Sequence, residues 1–180
     1  LKGVRKIKTE IFKIIKASMF CAILCIISQI SIMSPMGVPF TLQVAAVALC
    51  GYILGAKWGT ICVLTYIVLG LFGLPVFSGF RGGFNVFFTE TGGFLIGFIF
   101  LALLCGLTSE KKSAGIKIVF GIIGVLICHL CAVLQLTFVL KINFYVAVIS
   151  YSSPFLIKDI ALIFLAILIS EIFLKRINKI

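Results

Sequence analysis

Acidic residues are nearly missing from this 180-residue chain: five Asp and Glu stand against sixteen Lys and Arg, and only 12% of residues are charged. There is one histidine, one tryptophan and four prolines. So few proton-transfer groups leave little for acid–base catalysis. No Gly-x-x-x-x-Gly-Lys-[Ser/Thr] segment exists to cradle ATP phosphates, and no His-Glu-x-x-His or Gly-x-Ser-x-Gly cluster is present. Nor is there an inverted repeat of the kind many secondary transporters show. Polar residues are too few to cover the surface of a soluble domain.

What fills the chain is apolar: 62% of it, with a mean hydropathy of +1.31. A bilayer-crossing helix needs roughly 20 mostly apolar residues. Six runs qualify or nearly do: 11–33, 41–56, 59–76, 91–108, 116–140 and 153–174. The second and third are short and joined by Gly55-Ala56-Lys57-Trp58-Gly59, which reads as a tight helical hairpin. The first run is too long for a signal-peptide core and five more follow it, so it is read as a retained helix. The expected fold is an all-α integral membrane protein, one domain over residues 1–180 with six transmembrane helices.

The net charge of +11 raises the question of nucleic acid, but its placement answers it. Thirteen of the sixteen basic residues fall on the side of the two termini: the cluster from Lys2 to Lys16, then Lys57, then Lys111, Lys112 and Lys117, then Lys175, Arg176 and Lys179. Only Arg81, Lys141 and Lys158 fall on the other. Positive charge marks the cytoplasmic side, so both termini are expected there, with anionic lipid headgroups rather than nucleic acid as the partner. The seven cysteines all lie in apolar runs and are read as small buried hydrophobes. That includes Cys128 and Cys131, which flank His129 in a metal-like spacing without a second ligand pair.

The polar oddities sit at the outer ends of the runs. Pro39 opens the second run, and Thr41 and Gln43 follow just inside the membrane. Gln43 either bonds between helices or meets a ligand. The loop between the third and fourth runs, Val76 to Gly93, alternates glycine with phenylalanine and carries Arg81 and Asn85. A solvated tether would be rich in Ser, Lys or Glu, so this external loop reads as a lid. Asn85 has an amide free to donate and accept. Arg81 is either a solvated loop charge or an anion partner. Gly92 and Gly93 permit close backbone approach or free N–H groups, and Gly93-x-x-x-Gly97 suits helix packing. In the sixth run Asp159 lies about 7 Å beyond Pro154 along a helix and is a functional candidate at that depth. Lys158 is adjacent but points about 100° away. Glu171 and Lys175 read as an ordinary i, i+4 pair. His129, Gln135 and Gln29 are given no binding role.

These features describe an outward cavity under a Phe–Gly lid, suited to a small, partly apolar molecule with N–H groups for Asp159. A carboxylate on it would find Arg81 or Lys158. An enzyme acting within the membrane through His129, or a ligand-free structural subunit, are the competing classes.

The residues also resemble the BioY family, the biotin-binding S components of energy-coupling-factor transporters. The resemblance runs through Pro39-Phe40-Thr41-Leu42-Gln43, Gly70-Leu71-Phe72-Gly73-Leu74-Pro75-Val76-Phe77, Gly82-Gly83, Thr91-Gly92-Gly93-Phe94-Leu95-Ile96-Gly97-Phe98 and Pro154-Phe155-x-x-x-Asp159. It implies biotin capture outside the plasma membrane of a prokaryote, and delivery inward when docked on a transmembrane coupling protein (EcfT-type) with two ATPase subunits. ATP would be used there, with no cofactor in this chain. By position, Asp159 matches the family's acidic ureido partner and Asn85 a second ureido contact. Gln43, Lys158, Arg81, Thr41, Gly83 and Phe84 complete the expected substrate set. The resemblance places docking on small residues of the first helix, here Ala17, Ser18, Cys21, Ala22 and Cys25. Two positions depart: Glu90 replaces a common Pro, and Leu162 a common Lys.

Overall fold

The computed structural model describes residues 2–35, 37–110 and 113–177. Lys111, Lys112 and Lys179 of the charge count lie outside them, as do the side chains of Lys2, Arg5, Lys6 and Lys8. The elements are helix α1 (Lys2–Ile27), strands β1 (Ser31–Met33) and β2 (Pro39–Thr41), α2 (Gln43–Leu71), a 3-10 turn (Phe84–Phe88), α3 (Gly92–Leu107), α4 (Ala114–Leu140), a helical turn α5 (Phe144–Val146), a π-helical segment (Ala147–Ser152) and α6 (Ser153–Ile177).

The first apolar run does not stay helical to its end. After Ile27 the chain turns, and Ser31, Ile32 and Met33 pair antiparallel with Thr41, Phe40 and Pro39. Hydropathy continues through Ile30, Ile32 and Met33, but the serines at 28, 31 and 34 and Pro35 favour leaving the helix. Ile32 and Met33 are exposed, apolar and extended rather than membrane-buried helix.

Helix α2 contains the expected hairpin. Gly55 has φ +81° and ψ 172°, an extended conformation of the kind open to glycine alone, and the chain reverses there. Gln43 Nε2 donates to Tyr66 Oη at 2.8 Å, across 23 residues that a straight helix would spread over about 34 Å. The two arms, 43–54 and 56–71, therefore lie side by side, close enough that a Cβ on Gly59 would sit 2.7 Å from the Cys50 carbonyl. Helices α3 and α4 match the fourth and fifth runs within two residues. They pack through Gly93 and Gly97: a Cβ on Gly97 would come within 2.5 Å of Cys128 Cα. The small-residue spacing is thus a packing seam.

The molecule is apolar outside as well as in. On α4, Val119, Ile123, Leu126, Leu130 and Leu134 are all exposed at helical spacing, and Phe164, Leu165, Leu168, Ile169 and Ile172 do the same on α6. Contiguous apolar faces of this size suit lipid and not water. Gln43–Leu71 and Ala114–Leu140 have the length and composition to cross a bilayer, although the first folds back at Gly55.

Two ends can be told apart. At one, Gly55 approaches Ser109, and Lys117, buried, pairs with Glu171 at 3.6 Å. This replaces the expected Glu171–Lys175 pair: Lys117 comes from the neighbouring helix and offers Glu171 a partner shielded from water. At the other end β2, the 76–91 loop and the start of α6 meet.

Candidate functional site

That meeting forms a cavity enclosing about 510 Å³ of atom-free space, counted out to its open mouth. Its apolar wall comes from Val44, Phe94, Leu95, Phe98 and Phe155; its polar groups are Thr41, Gln43, Ser78, Arg81, Thr91, Lys158 and Asp159. An apolar pocket with a few convergent polar groups is the expected form of a small-molecule site.

Asp159 is its deepest charge, 2% exposed. Lys158 Nζ stands 2.7 Å from Oδ1 as an ion pair, yet Oδ1 has no aligned hydrogen bond. The adjacency in sequence argues against that pair. The long lysine side chain overcomes the 100° offset by curling over the carboxylate, where it also donates to the Thr41 carbonyl at 2.9 Å. Lys158 thus ties β2 to α6, beside the stacked rings of Phe40 and Phe155, whose centroids are 4.3 Å apart. Oδ2 takes a different partner, His129 Nε2 at 3.0 Å. The sequence assigns His129 no binding role, and its partner Asp159 lies 30 residues away on another helix. The signal that points to it is charge scarcity: a lone buried histidine and a lone buried aspartate each need a polar partner.

Gln43 bonds between the two arms of α2 and also borders the cavity. It donates to Tyr66 Oη and accepts from Thr41 Oγ1 at 3.1 Å. Tyr66 Oη passes the bond on to the Val76 carbonyl at 3.2 Å.

The loop is held at both ends. Ser28 Oγ donates to the Val76 carbonyl at 2.6 Å; Gln29 donates to the Pro75 carbonyl and accepts from Phe80 N–H at 2.9 Å. Gln29 is therefore a loop anchor. Phe77 and Arg81 exchange backbone hydrogen bonds, and Arg81 Nε donates to the Ser78 carbonyl at 3.0 Å. At the far end Gln135 accepts from Gly93 N–H and donates to the Phe87 and Thr89 carbonyls. Gly93 N–H is thereby taken, which corrects the expectation of a free donor there.

The loop meets the cavity through Phe77, Ser78, Arg81 and Val86. Phe80, Phe84 and Phe88 point outward, and Phe84 packs on Phe87 and Phe88. Asn85 is exposed, and neither it nor Gly83 nor Phe84 lines the cavity. Those three are not brought to Asp159; Thr41, Gln43, Arg81 and Lys158 are. Ser78, absent from the expected set, is 3% exposed, and its Oγ has no hydrogen-bond partner among the described residues.

On α1 the small residues divide. Ala17 and Cys21 are buried against the second arm of α2, while Ser18 and Ala22 are exposed and Cys25 is half-buried. Packing within the chain buries Ala17 and Cys21, and the outer face of α1 carries Ser18 and Ala22.

Residues 4–179 match the model of the BioY family. The chain belongs to the BioY family. It is 46% identical over 128 residues to the biotin transporter BioY of Thermotoga maritima, covering 70% of this chain and 75% of that one. It is 34% identical over 154 residues to a probable biotin transporter BioY of Pyrococcus horikoshii, covering 86% and 91%. The fold is similar to a crystal structure of the S-component for biotin from an ECF-type ABC transporter, with a TM-score of 0.85, 25% identity and 93% of each chain covered. These BioY relatives are membrane transporters and not enzymes. The convergence of Ser152 and Asp159 on His129 is a buried polar chain joining α4 to the start of α6.

Proposed function

We propose that this chain is the membrane-embedded subunit that captures biotin for uptake. The observation that carries the reading is Asp159: a buried carboxylate lining an apolar cavity, with one oxygen anchored by His129 and the other beside Lys158 but without an aligned hydrogen bond. A cyclic urea offers N–H groups to such an oxygen, and a charge-assisted hydrogen bond of this kind is roughly twice as strong as a neutral one. The thioether ring and pentanoate chain of biotin suit Phe94, Leu95, Phe98 and Phe155. Of the two cations, Lys158 is engaged by Asp159 and the Thr41 carbonyl. Arg81 therefore takes the biotin carboxylate, and Ser78, Thr41 and Gln43 complete the polar lining. Asn85, Gly83 and Phe84 are rim residues that meet the ligand as the loop folds over it.

In this reading the long helices and the two arms of α2 make six membrane crossings, the shorter arms being accommodated by burial or local thinning. Both termini are cytoplasmic, by the distribution of Lys and Arg, in the plasma membrane of a prokaryote. Delivery inward uses a transmembrane coupling protein and two ATPase subunits, since no nucleotide motif is encoded here. The outer face of α1, with Ser18 and Ala22, is the surface offered to that coupling protein.

The test is to purify the protein in detergent, denature it, and identify the released small molecule by mass spectrometry. Stoichiometric biotin is expected, with saturable rebinding after dialysis. Another vitamin in its place, or no saturable biotin binding, would overturn the reading.

A further inference from the structure

The two oxygens of Asp159 have different surroundings, and the difference continues behind them. His129, whose Nε2 meets Oδ2, has its Nδ1 2.8 Å from Ser152 Oγ. All three residues are buried, at 4% for His129, 7% for Ser152 and 2% for Asp159. An ionised carboxylate only accepts, so Nε2 carries the proton it shares with Oδ2. In the neutral ring Nδ1 then accepts from the Ser152 hydroxyl. Phe94, itself a cavity residue, meets the imidazole edge-on with centroids 5.4 Å apart and holds the ring plane.

Ser152 reaches this position through unusual backbone. It ends the π-helical segment Ala147–Ser152, where Ser153 N–H bonds five residues back to the Val148 carbonyl. Pro154 explains the widening. It lacks an N–H, and its ring would crowd the Ser150 carbonyl, four residues back, in a regular α-helix. The wider turn relieves the crowding and leaves Ser152 facing inward. π-bulges of this kind are frequent at functional sites.

We infer that His129, backed by Ser152, is a positioning residue that pins Asp159 Oδ2 and so presents Oδ1 to an N–H of the ligand. The physical need is set by Lys158. A carboxylate turns about a broad terminal torsion, and an ammonium 2.7 Å from one oxygen draws both toward itself. With the second oxygen held by the imidazole, the carboxylate cannot turn to give Lys158 both oxygens, and Oδ1, beside the ammonium but without an aligned hydrogen bond, keeps a lone pair for a ligand N–H. Selectivity for N–H-bearing ligands is thus set from behind the wall. The inference rests on the biotin reading and deepens it.

The experiment compares biotin with two analogues, each methylated at one ureido nitrogen, on wild type, His129→Leu, His129→Gln and Ser152→Ala in purified protein. His129→Leu is expected to weaken biotin about 10- to 100-fold, the range that follows when a buried charged acceptor loses one hydrogen-bond partner. It should move the analogue lacking the Asp159-facing N–H by less than about 3-fold, since that ligand makes no bond for His129 to aim. His129→Gln, which keeps a donor, should restore most of the loss, and Ser152→Ala should cause a few-fold loss in the same direction. Equal loss for all ligands, or biotin affinity unchanged in every variant, would overturn the inference. If His129→Leu fails to fold, Ser152→Ala carries the same comparison. Failure of wild type to bind biotin would strike the functional reading itself; wild-type binding with an unchanged selectivity ratio in the variants strikes only this inference.

Discussion

Replacing Asp159 with asparagine isolates what the carboxylate contributes. The two side chains are nearly isosteric, so no cavity opens and the α4–α6 packing persists. What changes is acceptor capacity. The carboxylate serves His129 on one oxygen; the other stands beside Lys158 without an aligned hydrogen bond and is the one able to accept from the ligand. Asparagine has one oxygen and one NH₂. If its oxygen stays with His129, the ligand N–H faces another donor; if it turns to the ligand, His129 Nε2 does. Either way one charge-assisted hydrogen bond is lost, about 1.5–3 kcal/mol, which corresponds to roughly 10- to 150-fold in Kd. Lys158 also loses its counter-charge, but its side chain is 27% exposed and water takes up part of that loss. Equilibrium binding of labelled biotin to purified protein, with a melting curve as control, reads the effect. A Kd within about 2-fold of wild type, in a variant that melts normally, would refute the assignment of Asp159 as the ligand's N–H partner.

Three further outcomes follow from the same geometry. Arg81→Ala should weaken biotin about 10-fold while leaving its neutral carboxamide nearly unaffected, because only the carboxylate offers the guanidinium a charge partner; equal effects on both ligands would move the carboxylate contact elsewhere. Gln135→Leu removes the bonds to Gly93 N–H and to the Phe87 and Thr89 carbonyls, and hydrogen exchange across residues 84–93 should accelerate together with biotin release. Gly55→Ala forces an L-residue into φ +81°, ψ 172° at a cost of about 1–3 kcal/mol; the melting temperature should fall while biotin affinity of the folded protein holds, since Gly55 lies at the end away from the cavity.

Hydropathy and punctuation are enough to locate α3, α4, α6 and the hairpin of α2, because long apolar runs bounded by glycine, proline and charge leave few alternatives. They fail at residues 28–33, where Ile30, Ile32 and Met33 are apolar for a reason other than helix formation. Depth and chemistry single out Asp159, Gln43 and Lys158. The pairing of Asp159 with His129 is out of reach, since it joins α4 to α6 and no local spacing encodes it. Asn85 shows what loop sequence leaves open: the 3-10 turn places it on the exposed face while Ser78 and Arg81 turn inward. Loop orientation depends on anchors such as Ser28, Gln29 and Gln135, which lie tens of residues away in sequence.

The ribosome makes the cavity in an awkward order. Thr41 and Gln43 emerge early, Ser78 and Arg81 next, and Lys158 and Asp159 only with the final helix. A partly synthesised chain therefore lacks the carboxylate, the lysine and Phe155 of the cavity, and His129 lacks its acceptor. Docking of α6 is the step that both completes the site and removes that defect. A ligand that binds only the finished arrangement stabilises it by mass action, about 2.7 kcal/mol at a hundredfold excess over Kd. Ligand binding and the docking of α6 therefore favour one another.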